Sequence, residues 1–413
     1  MNKNLTSVED AISIILKRIN LLPSNEIPLI NGIGRTLSEP IISKLNNPPA
    51  NVSSMDGYAI KNRDLEKGIY KFYCIDESIA GKKSIKTIKS GETVRIYTGA
   101  IIPLGADRVI LQENTLVKSK NLIEIKNNKI DSNNFFIRKK GMDFKIGETL
   151  IDIGVVVNSR LIALAVASGN SWAMVRNKPR IAILSTGDEL SKFGDLIYTG
   201  NNEKIISSNG IFLYNFIKQL GGDPFFLPTA QDNLKSLELI LHQAQGYDLV
   251  VSTGGASVGD YDLVQTALKN QNFKLLFWKI AMRPGKPVFF GTLKNIPFLG
   301  LPGNPVSTGV CSIVFLKKII QKFLGQKIID DISYIRLKSD LEKNDHRQDY
   351  VRSKITSNVK GDLFVFPFLK QDSSQLSIFS KADSFIIRSP NQGKIKKGTK
   401  VPVIIMPNLI EFS

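Results

Sequence analysis

A chain of 413 residues is too long for one ordinary hydrophobic core, and 42% apolar residues is the composition of a soluble globular protein, so two to four domains are expected. The formal net charge is +18, but the lysines are scattered rather than gathered into a basic arm, which favours a bias toward Lys, Asn and Ile over a nucleic-acid surface. Two cysteines far apart, Cys74 and Cys311, exclude a disulfide framework and zinc-type spacing, and two histidines, His242 and His346, disfavour a histidine-rich metal site or a Ser-His-Asp triad.

The N-terminal stretch lacks the continuous apolar core of a signal peptide and reads as an amphipathic helix. Thr6 and Glu9 form its expected capping box, and Val8, Ile12, Ile15 and Ile19 its apolar face. Residues 1–43 are helical and then extended. Residues 44–144 are short β-like runs broken by Gly, Asn and Lys, such as "GETVRIYTGA", and read as an inserted β-rich domain. Residues 145–177 return to a mixed pattern that belongs with 1–43 as a helical linking domain, and "SRLIALAVASG" predicts a helix stopped by Gly169. The most apolar run, residues 161–167, is far too short to span a bilayer, and a cytoplasmic protein is expected.

From Pro179 the texture changes. Apolar runs ("RIAILST", "PFFLP", "YDLVVST", "KLLFWKIA", "PVFFG", "IPFLGL") alternate with amphipathic stretches ("NGIFLYNFIKQLGG", "NLKSLELILHQAQ", "YDLVQTALKN"). The last helix, "PVSTGVCSIVFLKKIIQKFLG", has Pro305 at its first position. Residues 178–328 therefore predict a three-layer α/β domain with a mainly parallel sheet, and residues 329–413 a small C-terminal β domain.

In such sheets ligands sit beyond the carboxyl ends of the strands, and the unusual loops all fall there. In "STGGASVGDYD", Gly254, Gly255 and Ser257 open the backbone toward an anion, while Asp260 and Asp262 are hard oxygen ligands suited to Mg²⁺. In "STGDEL", Ser185, Thr186 and Gly187 precede the carboxylates Asp188 and Glu189. Helix capping is the competing role for each acidic pair. "FWKIAMRPGKP" carries Lys279, Arg283 and Lys286 on a loop stiffened by Pro, which suits a polyanion or a plain basic turn. "LPGNP" brings Gly303, Asn304 and Pro305 to a helix N-terminus, an anion site or a simple strand-to-helix turn. Outside this domain, "SSMDGYAI" sets Asp56 beside Gly and an aromatic, and "YTGAIIPLGADRVI" carries Thr98; by pattern alone both are hairpin chemistry.

Taken together, "SSMDGYAI", "YTGAIIPLGADRVI", "RKKGMDFKIGE", "ILSTGDEL", "STGGASVGDYD", "AMRPGKPVFFG" and "GLPGNPVS", in this order, resemble the molybdopterin molybdenumtransferase family. These are the molybdenum insertases of cofactor biosynthesis, called MoeA in bacteria and related to the E-domain of gephyrin. The resemblance covers nearly the whole chain. It implies a central domain of the molybdopterin-binding type, a C-terminal β-barrel, and an elongated homodimer with a shared active-site cleft.

The reaction it implies takes adenylylated molybdopterin, molybdate and Mg²⁺ to molybdenum cofactor and AMP. On this resemblance Lys279, Arg283 and Lys286 balance the anions and place molybdate, and Asp188, Glu189, Asp260 and Asp262 hold Mg²⁺ or polarise water. Asp56 and Thr98 match positions lining the wall contributed by the other subunit, and Arg138, Asp143, Asp232 and Ser373 match secondary positions. Arg283 stands where the family usually has Lys, and Ala50 where an aromatic is usual. The rival activities are the upstream molybdopterin adenylyltransferase, which is also a candidate partner, and a non-catalytic scaffold or nucleic-acid-binding protein.

Overall fold

The computed structural model describes residues 5–126, 134–185, 190–191, 205–228, 234–254, 267–268, 270–329 and 332–406. The backbone forms two compact units. One is made of residues 26–33 and 39–174, the other of residues 1–25, 34–38 and 175–413.

The first unit holds a six-stranded sheet in the order Arg108–Leu111, Gly57–Ile60, Glu92–Ile96, Lys71–Ser78, Leu122–Ile125, Thr115–Ser119. Its strand Gly57–Ile60 is buried on both faces, as the two-residue side-chain period requires of an interior strand. Tyr58 and Ile60 pack with Phe72, Ile110 and Ile123, while Ala59 packs on the other side with Val94, Ile96 and Val109. The helix Ser159–Ala167 starts where the Asn158 side chain accepts from the Leu161 amide at 3.1 Å. It ends just before Gly169, whose φ of +89° an L side chain rarely adopts.

The second unit is built on a mixed sheet ordered Asp223–Phe226, Arg180–Ser185, Leu249–Thr253, Ile296–Leu301, Phe289–Leu293, Lys274–Trp278. The first four strands are parallel, and Phe289–Leu293 runs antiparallel to both of its neighbours, Ile296–Leu301 and Lys274–Trp278. The strand Leu249–Thr253 is central and buried on both faces, which accounts for the consecutive apolar Leu249, Val250 and Val251 at its start. One face packs Ile181, Ile183 and Val251 against the helix Ser208–Gln219 and the long helix beginning at Pro305. The other packs Ala182, Leu184 and Val250 against Ile240 and Leu241 of the helix Leu234–Gln243. These are the three layers expected.

The long helix runs Pro305–Cys311, widens to a π-helical turn at Ser312–Leu316, and continues Lys317–Leu324 before Gly325 in the left-handed region. The N-terminal helix is Val8–Leu16, and its cap differs from the expectation by one residue. Ser7, not Thr6, accepts from the Asp10 amide at 3.0 Å. Thr6 is held in extended backbone by bonds to Lys279 and Ala281, so the helix starts one position later. The apolar face is as expected, with Val8, Ile15 and Ile19 buried, and Ala11 joins it.

The C-terminal strands close into a barrel in which Gln348–Ser357 pairs with Leu363–Pro367, which leads through Ile332–Leu337 and Lys400–Ile405 to Ser384–Arg388 and back to Gln348–Ser357. The two-residue strand Met282–Arg283 adds to its edge in parallel, with Arg283 opposite Asp349. Among the described residues no helix is long and apolar enough to cross a membrane.

Candidate active site

A cavity of about 560 Å³ opens at the carboxyl ends of the parallel strands. Of the residues singled out in the sequence, it is lined by Gly254, Arg283, Lys286, Gly303, Asn304 and Ser373. The two glycines face each other at neighbouring strand ends, and a Cβ on Gly303 would meet the Gly254 Cα at 3.7 Å. Small residues there keep the backbone accessible to a ligand. Gly254 has φ +86°. Gly285, on the basic loop, has φ +113°, and a Cβ there would lie 2.5 Å from the Cys311 Sγ. The loop between Arg283 and Lys286 is thus pressed onto the long helix, which fixes where its cations emerge.

Asn304 sits at the N-cap position of the long helix, but its side chain turns away from the helix: its side-chain amide donates to the Ser373 hydroxyl at 2.9 Å, and the Val306 backbone amide donates to the Ser373 carbonyl at 3.2 Å. Pro305 occupies the first helical position. The segment carrying Ser373 is held from below by Arg352, whose fully buried guanidinium donates to the carbonyls of Asp372 at 2.8 Å and Lys370 at 3.4 Å. Ser374 donates its amide and hydroxyl to the Asp372 carboxylate, which holds that carboxyl below its usual range.

Three groups not singled out by sequence join the wall, and a fourth braces it. Ser307, Arg347 and Gln371 line the cavity. Asn209, at the start of its helix, donates to the Thr253 hydroxyl at 3.0 Å and the Gly303 carbonyl at 2.6 Å, tying two strand ends together. The Arg347 guanidinium forks onto Asp345 at 2.6 and 3.2 Å and holds that carboxyl well below the usual range. Arg283 is likewise engaged, by Asp349 at 2.6 Å and Asp345 at 3.6 Å. Lys286, by contrast, is exposed and has no ion-pair or hydrogen-bonding partner for its amino group among the described residues. Short motifs offered a signal for Arg347, in the charged run "NDHRQDYVR", and for Ser307, the last residue of "GLPGNPVS"; Gln371 and Asn209 sit in ordinary turn and helix sequence.

Lys279 is not among the residues lining this cavity. Its amino group lies 4.5 Å from the Trp278 ring centroid, a cation–π contact, and its backbone carbonyl accepts from Thr6. Ser185 ends its strand in register with Thr253, so the two acidic segments leave the sheet from adjacent strand ends. Thr186, Gly187, Asp188, Glu189, Asp232, Gly255, Ser257, Asp260 and Asp262 themselves lie outside the described residues, as does most of the helix expected at 261–270. Among the described residues no group of three or more His, Cys, Asp or Glu side chains is arranged to hold a metal ion.

In the other unit Asp56 and Thr98 are in direct contact. The Thr98 amide and hydroxyl both donate to Asp56 Oδ1 at 2.8 Å, and these two bonds hold the carboxyl below its usual range. Gly57 is obligatory beside it, because a Cβ would lie 1.9 Å from the Ile110 carbonyl oxygen. Arg95 stacks on Tyr58 and Tyr97 and donates to Gln112, which braces the same turn. Asp143 accepts from Asn47 at 2.9 Å, and Arg138 pairs in the ladder with Val52.

An inserted β module, an α/β sheet with its loops gathered at the strand ends, and a closed barrel that contributes to the same cavity define a multidomain enzyme of the molybdopterin-binding class. The chain matches the MoeA N-terminal region (domains I and II) over residues 6–169, a probable molybdopterin-binding domain over 182–322, and the MoeA C-terminal region (domain IV) over 334–406. It is 31% identical to a molybdopterin molybdenumtransferase of Staphylococcus epidermidis over 405 residues, covering 97% of this chain and 95% of that one. It is 30% identical to the protein of that name from Haemophilus influenzae over 403 residues, covering 97% and 98%. The crystal structure of the molybdopterin biosynthesis MoeA protein from Pyrococcus horikoshii superposes with a TM-score of 0.82 at 28% identity, covering 97% of this chain and 99% of that one. The chain belongs to the molybdopterin molybdenumtransferase family, a family of transferases.

Proposed function

We propose that the protein inserts molybdenum from molybdate into adenylylated molybdopterin with Mg²⁺, releasing AMP and forming molybdenum cofactor. The observation that carries this reading is the cavity at the strand ends, where Arg283, Lys286 and Arg347 converge with the open backbone of Gly254 and Gly303. A doubly charged oxyanion and a phosphate-bearing pterin both need fixed cations and amide donors in a site shielded from bulk water. Lys286, the cation with no ion-pair or hydrogen-bonding partner among the described residues, is the group proposed to meet incoming molybdate, and Ser373, Asn304 and the start of the long helix offer donors for phosphate.

Mg²⁺ belongs to the proposal through residues outside the described ones. Adjacent strand ends launch the segments bearing Asp188, Glu189, Asp260 and Asp262, a donor set of hard oxygens that suits this ion. When bound, Mg²⁺ would neutralise phosphate charge during release of AMP. The homodimer with a shared cleft remains part of the same proposal, with Asp56 and Thr98 as the facing wall, and so does Lys279 as a more distant cation.

The test is to supply purified adenylylated molybdopterin, Mg²⁺ and molybdate and follow AMP. Release that depends on molybdate is expected, with Asp262→Asn and Glu189→Gln each cutting it strongly. Adenylation of molybdopterin by ATP without molybdate would assign the chain to the preceding step instead. Tight binding to duplex DNA with a steep salt dependence would favour the nucleic-acid reading.

A further inference from the structure

Two of the three cations on the cavity wall have carboxylates behind them, and the arrangement is asymmetric. Asp349 is 4% exposed, while the Arg283 side chain it holds at 2.6 Å is 47% exposed and faces the cavity. Asp349 is fixed by the barrel: it pairs with Arg388 across one ladder and stands opposite Arg283 on the other. Its second oxygen, Oδ1, is buried and has no hydrogen-bond partner. A buried carboxylate that leaves one oxygen unsatisfied is costly, and here the charge-assisted contact with Arg283 is what offsets that cost. That other contact ends on a guanidinium whose free side looks into the cavity. Asp345 adds a second, longer leg at 3.6 Å. A planar guanidinium can engage both carboxylates at once, which a single ammonium point charge does poorly.

We propose that Asp349 is a positioning residue for oxyanion binding: it holds the Arg283 guanidinium on the cavity wall, so that this cation presents fixed N–H donors rather than a mobile charge. The inference rests on the oxyanion role proposed for the cavity. It divides the work between two cations, a preorganised and partly neutralised Arg283 and a Lys286 that has no partner among the described residues.

The sign of one substitution separates positioning from simple electrostatics. Asp349→Asn removes a negative charge close to an anion site, so electrostatics alone predicts tighter molybdate binding. Positioning predicts the reverse, a molybdate Kd raised about tenfold, since a charge-assisted contact loses its fixed geometry. The KM for molybdate should rise in parallel while kcat stays within about twofold, the signature of lost binding rather than lost chemistry. In an Arg283→Ala background the same Asp349→Asn change should no longer weaken binding, because the residue it acts through is gone. Arg283→Lys keeps the charge and should raise Kd by a smaller factor, roughly threefold, through loss of the Asp345 leg; it also serves as the test if Asp349→Asn does not fold.

Binding is read by calorimetry with molybdate alone and with inorganic sulfate as a competing anion. If the wild-type protein takes up no oxyanion, the functional reading falls and this inference with it. If the wild type binds molybdate and Asp349→Asn binds equally or more tightly, or Arg283→Lys binds as the wild type does, the positioning role is overturned while the reading of the cavity stands.

Discussion

At the Asp56 turn a carboxylate is held by neutral donors, the amide and hydroxyl of Thr98 at 2.8 Å, and no hydrogen bond occupies its second oxygen among the described residues. At the Arg283 loop the roles are exchanged: guanidinium groups are held by carboxylates, Arg283 by Asp349 and Arg347 by Asp345. Both arrangements lock a charged side chain without burying it. They differ in what is left over. Dipoles leave the Asp56 turn with its full negative charge, whereas ion pairing leaves the cavity wall with fixed donors and a reduced net charge, and Lys286 as the cation with no partner among the described residues. The first suits a group that stays anionic and accepts hydrogen bonds, the second a surface that orients an anion.

The largest effects should come from removing the anionic group altogether. Asp56→Ala and Asp262→Ala are each expected to be nearly inactive as pure homodimers. If the two belong to one cleft built from two chains, dissociating and reassembling them together gives about half heterodimers, each with one intact site, so about a quarter of wild-type activity returns. Recovery of none, with heterodimers verified by differently tagged subunits, would make Asp56 a structural residue or a same-chain participant.

Next in size are the glycines that hold each charge in place. Gly57→Ala drives a Cβ to 1.9 Å from a backbone oxygen in a sheet, where nothing can yield. A loss of about 3 kcal/mol or more in urea unfolding is expected. Gly285→Ala adds strain at φ +113° and a contact at 2.5 Å with Cys311, whose side chain can shift, so a loss of roughly 1–3 kcal/mol is expected. Equal costs at the two sites would show that the basic loop is as rigid as the Asp56 turn.

Lys286→Ala tests the cation left over. The KM for molybdate should rise about tenfold or more and the rate should be partly restored by excess molybdate, because the lost interaction is largely binding. A loss of turnover that no molybdate concentration relieves would place Lys286 in the chemical step.

These contrasts were only partly legible in the sequence. The strands and helices of the α/β region could be read from their apolar period, and Pro305 and Gly169 marked a helix start and a helix stop at the positions the structure shows. The loops bearing Gly254, Arg283, Lys286 and Gly303 could be placed together because strand ends in such a sheet converge. What escaped was set by pairing between distant segments. Asp349 faces Arg283 only because Met282–Arg283 adds to the barrel edge in one particular register, which no local pattern encodes. The cap moved from Thr6 to Ser7 for the same reason, since Thr6 is drawn into a bridge with Ile280. The π-helical turn at Ser312–Leu316 interrupts a sequence whose periodicity reads as unbroken helix. The readings of Asp188, Glu189, Asp260 and Asp262 rest on sequence and resemblance.

The smallest expected effect is also the most direct measure of the difference between dipoles and ion pairs. Asp56 and Asp345 both have carboxyl groups held below the usual range, the first chiefly by hydrogen bonds from Thr98, the second chiefly by the Arg347 guanidinium. Because both folded-state values are depressed, each contact adds stability above the ordinary carboxylate pKa of about 4, and that contribution is lost as pH falls toward the folded-state value. Salt should separate them. The Arg347 and Asp345 side chains are 25% and 37% exposed, and ions at about 1 M shorten the screening length to roughly 3 Å, comparable to the pair itself. The Asp345 titration, followed by carboxyl carbon NMR, should therefore move up toward the ordinary value as salt is added. The Thr98 amide and hydroxyl are neutral, so the Asp56 titration should shift much less with salt. It should instead move up in Thr98→Val, which deletes the hydroxyl and keeps the amide. Equal salt shifts for the two groups would mean that Arg95, the more distant cation near Asp56, sets its titration rather than Thr98, and the contrast between the two regions would be one of degree rather than kind.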